Sequence, residues 1–194
     1  MTSIHDYLQT YFDADGVDLT PMAALFELIE LQKNDYFLKM DQYTTRLGFI
    51  HEGLLRFYAY NEDGSKEVTQ WIANQGMFVT DLSSFVFDAP SRWHIQALSD
   101  VKIYVIRRAD YRRLDEIITD WATIETRFIA KCFVHLENRV FQQLSMSAEE
   151  KYVSLLQYMP EIFNQAPLQY IASMLGMTPE TLSRLRRKRV SGGK

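Results

Sequence analysis

The 194-residue chain lacks the long apolar run that a membrane-spanning helix requires: nowhere do about 18 apolar residues follow one another. Its start, MTSIHDYLQTYFDADG, has no basic segment leading into an apolar block, so no signal peptide is expected. A single cysteine, Cys132, excludes an internal disulfide and fits a reducing cytoplasm. The histidines (His5, His51, His94, His135) are scattered, whereas a metal-dependent jelly-roll enzyme needs clustered ligands such as H-x-H with a nearby Glu, so no metal site is expected. Glycine-rich phosphate loops, a nucleophile elbow and C-x-x-C are missing, which leaves an enzyme reading without a supporting constellation. No internal repeat and no low-complexity linker appears.

What is present is an ordinary globular composition, 47% apolar and 24% charged, long enough for one large domain or two modest ones. Charge is unevenly placed. The net charge is −4, yet from Leu168 onward Arg184, Arg186, Arg187, Lys188, Arg189 and Lys194 face only Glu180, which is +5 and leaves −9 for residues 1–167. An acidic body carrying a small basic end suits phosphate binding, which needs local rather than global positive charge; a solvated tail is the plainer alternative.

Three textures follow one another. Residues 3–32 read as helical, with Ile4, Tyr7, Leu8, Tyr11 and Phe12 at helical spacing and a second start at Thr20 as N-cap, Pro21 as first helical residue, then MAALFELIEL. From Tyr36 to Arg108 the runs are β-branched and aromatic, with a turn at Asp63–Gly64 and two more runs in RWHIQALS and VKIYVIRR. Short strands without intervening helices imply an antiparallel barrel or jelly roll. After Ala109 the helical period returns. Ser147 to Glu150 has capping-box form, Pro160 should end that helix near Tyr158, and Asp120 to Ser145 stands alone as a long helix. Its stripe, including Ile124, Phe128, Cys132, Leu136 and Val140, is wide enough to cover a β-domain with one edge and a partner's identical helix with the other, or to be buried whole within one protomer.

The segment QYIASMLGMTPETLSRLRRKR carries the strongest pattern. With Leu168 as position 1 of a helix-turn-helix, Ala172 falls where two helices approach closely and Gly176 where the turn needs positive φ. Ile171, Leu175, Met177, Leu182 and Leu185 fall at the apolar packing positions. Thr178 caps the second helix and Pro179 opens it. Glu180, Ser183, Arg184 and Arg187 then share one outward face, from which the first three would meet base edges. Gln169, Thr178, Thr181, Arg186, Arg187, Lys188 and Arg189 would meet the phosphate backbone. An amphipathic helix with a basic, dipole-compensating end is the alternative.

The order of helices, antiparallel roll, long helix and terminal reader resembles the Crp–Fnr superfamily of bacterial transcription regulators over nearly the whole chain. GFIHEGLLRFYAYNEDGSKEVTQWIANQG resembles that family's roll, with its I-x-x-G-x-x-R strand and D-G hairpin. SAEEKYVSLL resembles the helix before its reader. PETLSRL is similar to the recognition helix of the Fnr-like branch, where E-x-x-S-R reads TTGA-type half-sites. The resemblance implies an α+β fold: amino-terminal helices with an antiparallel β-roll (double-stranded β-helix, or jelly roll), a long dimerisation helix and a carboxyl-terminal helix-turn-helix. The corresponding units are residues 1–118 (sensor), 119–145 (dimer helix) and 146–194 (DNA-binding).

Against the family's cyclic-AMP phosphate cassette, F-G-E-L with an Arg-Ser/Thr pair about ten residues on, the stretch FVTDLSSFVFDAPSRW departs. Thr80 replaces the glycine, Asp81 the ribose-binding glutamate, and Ser91 holds the arginine slot with Arg92 one place later, which on a strand reverses side-chain direction. Cyclic-AMP binding is therefore not expected. If the pocket binds anything, Asp81, Leu82, Ser83, Ser84, Ser91 and Arg92 mark the place. One cysteine cannot hold the four-thiolate iron–sulfur cluster of oxygen-sensing members. Only VSGGK follows Arg189, too short for the family's β-hairpin wing. The reading is a cytoplasmic homodimeric regulator, binding near-palindromic duplex DNA, with an unidentified small-molecule effector or none, no cofactor, no membrane, and RNA polymerase as a further partner. The alternative is a ligand-sensing module acting through a protein partner instead of DNA.

Overall fold

The strands alternate between an inner and an outer side, and that alternation builds three hydrophobic clusters rather than one. In the computed structural model, which describes residues 3–14 and 16–191, the strands are β1 (Glu27–Leu31), β2 (Tyr36–Leu38), β3 (Arg46–Glu52), β4 (Leu55–Tyr60), β5 (Glu67–Ala73), β6 (Phe78–Val79), β7 (His94–Ala97) and β8 (Val101–Arg107). They form two antiparallel four-stranded sheets, ordered β1-β8-β3-β6 and β2-β7-β4-β5. Ile50, Leu55, Phe57, Ile95, Ile103 and Val105 fill the space between the sheets. Leu47, Phe49 and Ile106 face out of the first sheet into a second cluster. Leu54 and Ile72 face out of the second sheet into a third.

The second cluster is roofed by helices. α1 (Ile4–Phe12) starts at a capping box between Ser3 and Asp6. Its Phe12 ring stacks on Phe128, 4.7 Å between centroids. Phe128 belongs to α6 (Trp121–Ser145), the long helix expected from the sequence. Between them lie α2 (Thr20–Ala23), α3 (Leu82–Phe87), α4 (Arg108–Tyr111) and α5 (Leu114–Ile117). Beyond α6 come α7 (Ala148–Tyr158), with the Ser147–Glu150 capping box and an end just before Pro160, then α8 (Ile162–Gln165), α9 (Leu168–Met174) and α10 (Pro179–Ser191). Among the described residues, no helix is long and apolar enough to cross a membrane.

Three expectations need correction. FELIEL is not helical: it becomes β1, paired with β8, with Ile29 and Leu31 turned toward the roll and Leu28 and Glu30 outward. In so short an apolar run the helix and strand periods are hard to separate, and pairing with β8 decides. Leu19, not Thr20, is the cap of α2, which ends after about one turn. The strand region does contain a helix, α3, started by Asp81, which accepts hydrogen bonds from the Ser83 and Ser84 amides. The Asp63–Gly64 turn is as expected, Gly64 having φ +71°. Gly53 is needed twice over, since its φ is +93° and an added Cβ would collide with the Asp100 carbonyl oxygen.

The apolar stripe of α6 divides. Trp121, Ile124 and Phe128 are buried within the protomer and Cys132 packs beside them, so Ile124 and Phe128 are not available to a partner; the roll and α1 already cover them. Past this point the stripe is bare: Ile129, Phe133, Leu136, Val140 and Leu144 are exposed. Phe128→Ala should destabilise the protein by about 3–5 kcal/mol, the usual cost of emptying a fully buried aromatic site. Leu136→Ala should change the isolated protomer little. Urea unfolding of both variants checks this.

Candidate functional site

The terminal helices form the bihelical unit that the spacing implies. Ala172, Ile171 and Leu182 are fully buried, Leu175 and Met174 nearly so, and Gly176 turns the chain at φ +68°. The Thr178 hydroxyl accepts from the Thr181 amide at 3.2 Å, so α10 is capped as expected with Pro179 in its first turn. Glu180, Ser183, Arg184 and Arg187 line one shallow concavity with Pro179 on the outer side of α10. Glu180 is held below its usual range, first by its own backbone N–H, then by the Thr178 hydroxyl and Arg184. It is therefore an acceptor at neutral pH, beside the donor fork of Arg184.

The other cations differ. Lys188 pairs with Glu149 of α7 at 3.1 Å, both side chains being exposed. Arg187 Nε donates to the Ser183 carbonyl at 3.5 Å. Arg186 is half-buried, its guanidinium 6.0 Å from the Phe163 ring centre, so it braces α10 against α8 instead of standing free for phosphate as expected. Gln169 and Arg189 are exposed and Thr181 half-buried. The wing and SGGK expectations concern an end whose Gly192, Gly193 and Lys194 lie outside the described residues.

At the cassette, buried polar groups satisfy one another. Asp81 is 4% exposed; it caps α3 and accepts from the Ser91 hydroxyl at 2.8 Å. The buried Ser84 hydroxyl accepts from the Thr44 amide at 2.9 Å. Arg92 is exposed and lies over the Trp93 ring, 4.8 Å from its centre; it sits in a bend before β7, so its direction does not come from strand alternation as expected. Arg46, a residue the sequence reading passed over, lays its guanidinium over Phe37 at 5.3 Å. Ser83 is exposed and Leu82 half-buried, so only Asp81, Ser84 and Ser91 form a buried set. Among the described residues, no group of His, Cys, Asp and Glu side chains could hold a metal ion.

The sequence reading also missed how the reader is fixed to the roll. Arg56, the arginine of the I-x-x-G-x-x-R strand, is 1% exposed. Its guanidinium lies 3.6 Å from the ring centre of Tyr170 on α9 and 4.1 Å from that of Tyr58. It donates to Thr69 at 2.9 Å and to Glu67 at 2.7 Å. The Thr69 amide donates to the Ser173 hydroxyl of α9 at 2.9 Å. Arg139 of α6 donates to the Gln70 carbonyl at 2.7 Å with its guanidinium 4.0 Å from the Trp71 ring centre. Asn74, just past β5, donates to Glu161 at 2.7 Å. One strand thus binds the roll, the long helix and the reader. No single residue announces this in the sequence, because the contacts that join these units, such as Arg56 with Tyr170 and Thr69 with Ser173, span long stretches of chain.

A two-sheet antiparallel roll, a long helix and a helix-turn-helix follow one another in the order that the sequence resemblance implies. Residues 28–116 match the family model described as cyclic nucleotide-binding domain. Solved structures of similar fold include FixK2 from Bradyrhizobium japonicum, with TM-score 0.72 and 17% identity over 87% of this chain and 86% of that one. A regulatory protein from Silicibacter pomeroyi gives 0.69 and 15% over 97% and 90%. A CooA mutant from Carboxydothermus hydrogenoformans gives 0.61 and 16% over 90% and 80%. No curated protein sequence matches significantly. The cyclic-nucleotide-binding-type roll and the α+β fold class read from the sequence are therefore borne out.

His94 sits on the aromatic surface beside Arg56, its ring stacked on Tyr58 at 4.9 Å between centroids and its Nδ1 accepting from the Met40 amide at 3.3 Å. Burial lowers its pKa from the ordinary 6.5. The folded state therefore resists protonating it, and the stability it supplies is present above about pH 6.5 and lost as pH falls through the lowered value. Urea midpoints of the wild type should decline across that window, and His94→Gln should flatten the decline.

Proposed function

We propose that the chain is a homodimeric, sequence-specific DNA-binding transcription regulator whose β-roll answers to a small molecule other than cyclic AMP. The observation that carries this reading is the outer face of α10, where Glu180, Ser183 and Arg184 lie together on a capped helix whose inner side is fully engaged. In the major groove Arg184 donates twice to guanine O6 and N7, Glu180 accepts from cytosine N4, and Ser183 serves either way. Gln169, Thr178, Thr181, Arg187, Lys188 and Arg189 act on phosphates, Lys188 by exchanging Glu149 for the duplex. With Arg186 committed to Phe163, it contributes to the shape of α10 rather than directly to affinity.

Dimerisation is supported by spacing. Ile129, Phe133, Leu136 and Val140 recur at steps of four, three and four along the bare side of α6, the pattern of a two-helix seam. A two-fold dimer calls for a near-palindromic site, with TTGA-type half-sites about one helical turn apart. Cytoplasmic location and contact with RNA polymerase belong to the same reading. Cyclic AMP is disfavoured because Ser91 holds the place of the phosphate-binding arginine and spends its hydroxyl on Asp81, while Arg92 is turned away.

Selection of bound sequences from a random duplex pool tests DNA recognition, half-site identity and spacing together; recovery of no preferred sequence overturns the reading. Arg184→Ala should weaken specific binding by about 1–3 kcal/mol and relax preference at one base pair per half-site. Arg189→Ala should weaken all duplexes alike and lower the salt slope by about one. A protein-partner module would show neither effect. Leu136→Glu should yield a folded monomer by sedimentation, with DNA binding lost far more than stability.

A further inference from the structure

A cavity of about 370 Å³ opens between α1, the β5–β6 turn, α6 and the end of α7, away from the reading face. Its size falls within the range of small-molecule sites, about 300–1,000 Å³. Tyr11, Met77, Cys132 and Met159 give it apolar walls, while Lys131 and His135 bring nitrogen groups to its edge. Among the described residues, Lys131 makes two long contacts, 3.4 Å to the Thr10 carbonyl and 3.4 Å to the Asp13 carboxylate. Ion pairs this open to water contribute little and exchange easily.

The remaining groups narrow the chemistry. Burial pushes the Cys132 thiol up to about 11, so it stays protonated and is no nucleophile, which argues for non-covalent capture. Tyr11, pushed up to about 12 by burial, accepts from the Phe78 amide and serves as a neutral aromatic wall. A cationic edge over an apolar floor complements a molecule with one carboxylate and a compact apolar body.

Position supplies the second argument. The cavity touches the roll, the long helix and, through Met159, the cluster that contains α9 and Leu182 of α10. Lys131, Cys132 and His135 lie on the side of α6 turned toward its own protomer, while Ile129, Phe133, Leu136 and Val140 lie about a third of a turn round.

We propose that this cavity, in place of the self-satisfied cassette, is the effector site, and that it takes a small organic carboxylate with an apolar body. This deepens the sensing part of the proposed function and rests on it. Occupancy would move the reader only by being tighter in one arrangement than in another.

The test uses the full chain without DNA, labelled at its methionine methyls and titrated separately with phenylacetate, salicylate and hexanoate. Met77 and Met159 report on the cavity, and Met40 and Met146 serve as distant controls. At least one acid should shift Met77 and Met159 saturably while the controls stay still. Lys131→Leu should weaken that binding at least tenfold, Cys132→Trp should abolish it by filling the floor, and neutral phenylacetamide should bind at least tenfold more weakly than phenylacetate. The proposal is overturned if none of the acids shifts these methyls, if the controls move equally, or if neither Lys131→Leu nor the neutral analogue differs from its reference. DNA selection on the unliganded chain is read independently, so failure of the cavity and failure of DNA recognition are distinguishable.

Discussion

A guanidinium removed from water must be given partners on every side, and the demands of Arg56 tie distant parts of this chain together. Glu67 and Thr69 answer its charge and its donors from the neighbouring strand, and Tyr58 and Tyr170 sandwich its faces. One of those rings belongs to the reader. If α9 moved off β5, Arg56 would lose its desolvated face on Tyr170, a contact worth about 2 kcal/mol or more when water is excluded. The Thr69 amide would lose the Ser173 hydroxyl at the same time. The reader's place against the roll is thus set by polar groups that tolerate few alternatives, on a background of shared apolar packing.

The same strand explains why the long helix matters to both ends. Arg139 anchors α6 to the Gln70 carbonyl, and Gln143 donates to the Met174 carbonyl at 3.2 Å. The carboxyl half of α6 therefore has one side committed to its own protomer and another left bare. In the proposed dimer the committed side would carry position and the bare side association. The cassette, meanwhile, has become a structural knot. Asp81 and Ser91 satisfy each other.

Much of this was legible in the chain. The helix-turn-helix was readable because its constraints are local: Gly176 for a positive φ, Ala172 for a close approach, Thr178 and Pro179 for a cap. The outward direction of Arg92 agrees with the expectation, although Arg92 lies in a bend before β7 and strand parity is not its cause. What was hidden depended on partners far away in sequence. β1 looked helical because six residues cannot display a period clearly, and its pairing strand lies more than seventy residues on. Ile124 and Phe128 belonged to the same stripe as Leu136 and Val140, and only the position of α1 separates them. Arg186 looked like one more phosphate ligand because nothing nearby in sequence reveals Phe163 beneath it.

The length of α6 has a mechanical corollary. Its 25 residues make a rod of about 37 Å, at about 1.5 Å per residue. A tilt of about five degrees displaces one end of such a rod relative to the other by roughly 3 Å, close to the spacing of neighbouring base pairs, about 3.4 Å, and the terminal helices tied to it through Gln143 would share the shift. Where two such rods cross in the proposed dimer, small angular adjustments would register as whole steps along a duplex, which would make the helix a vernier.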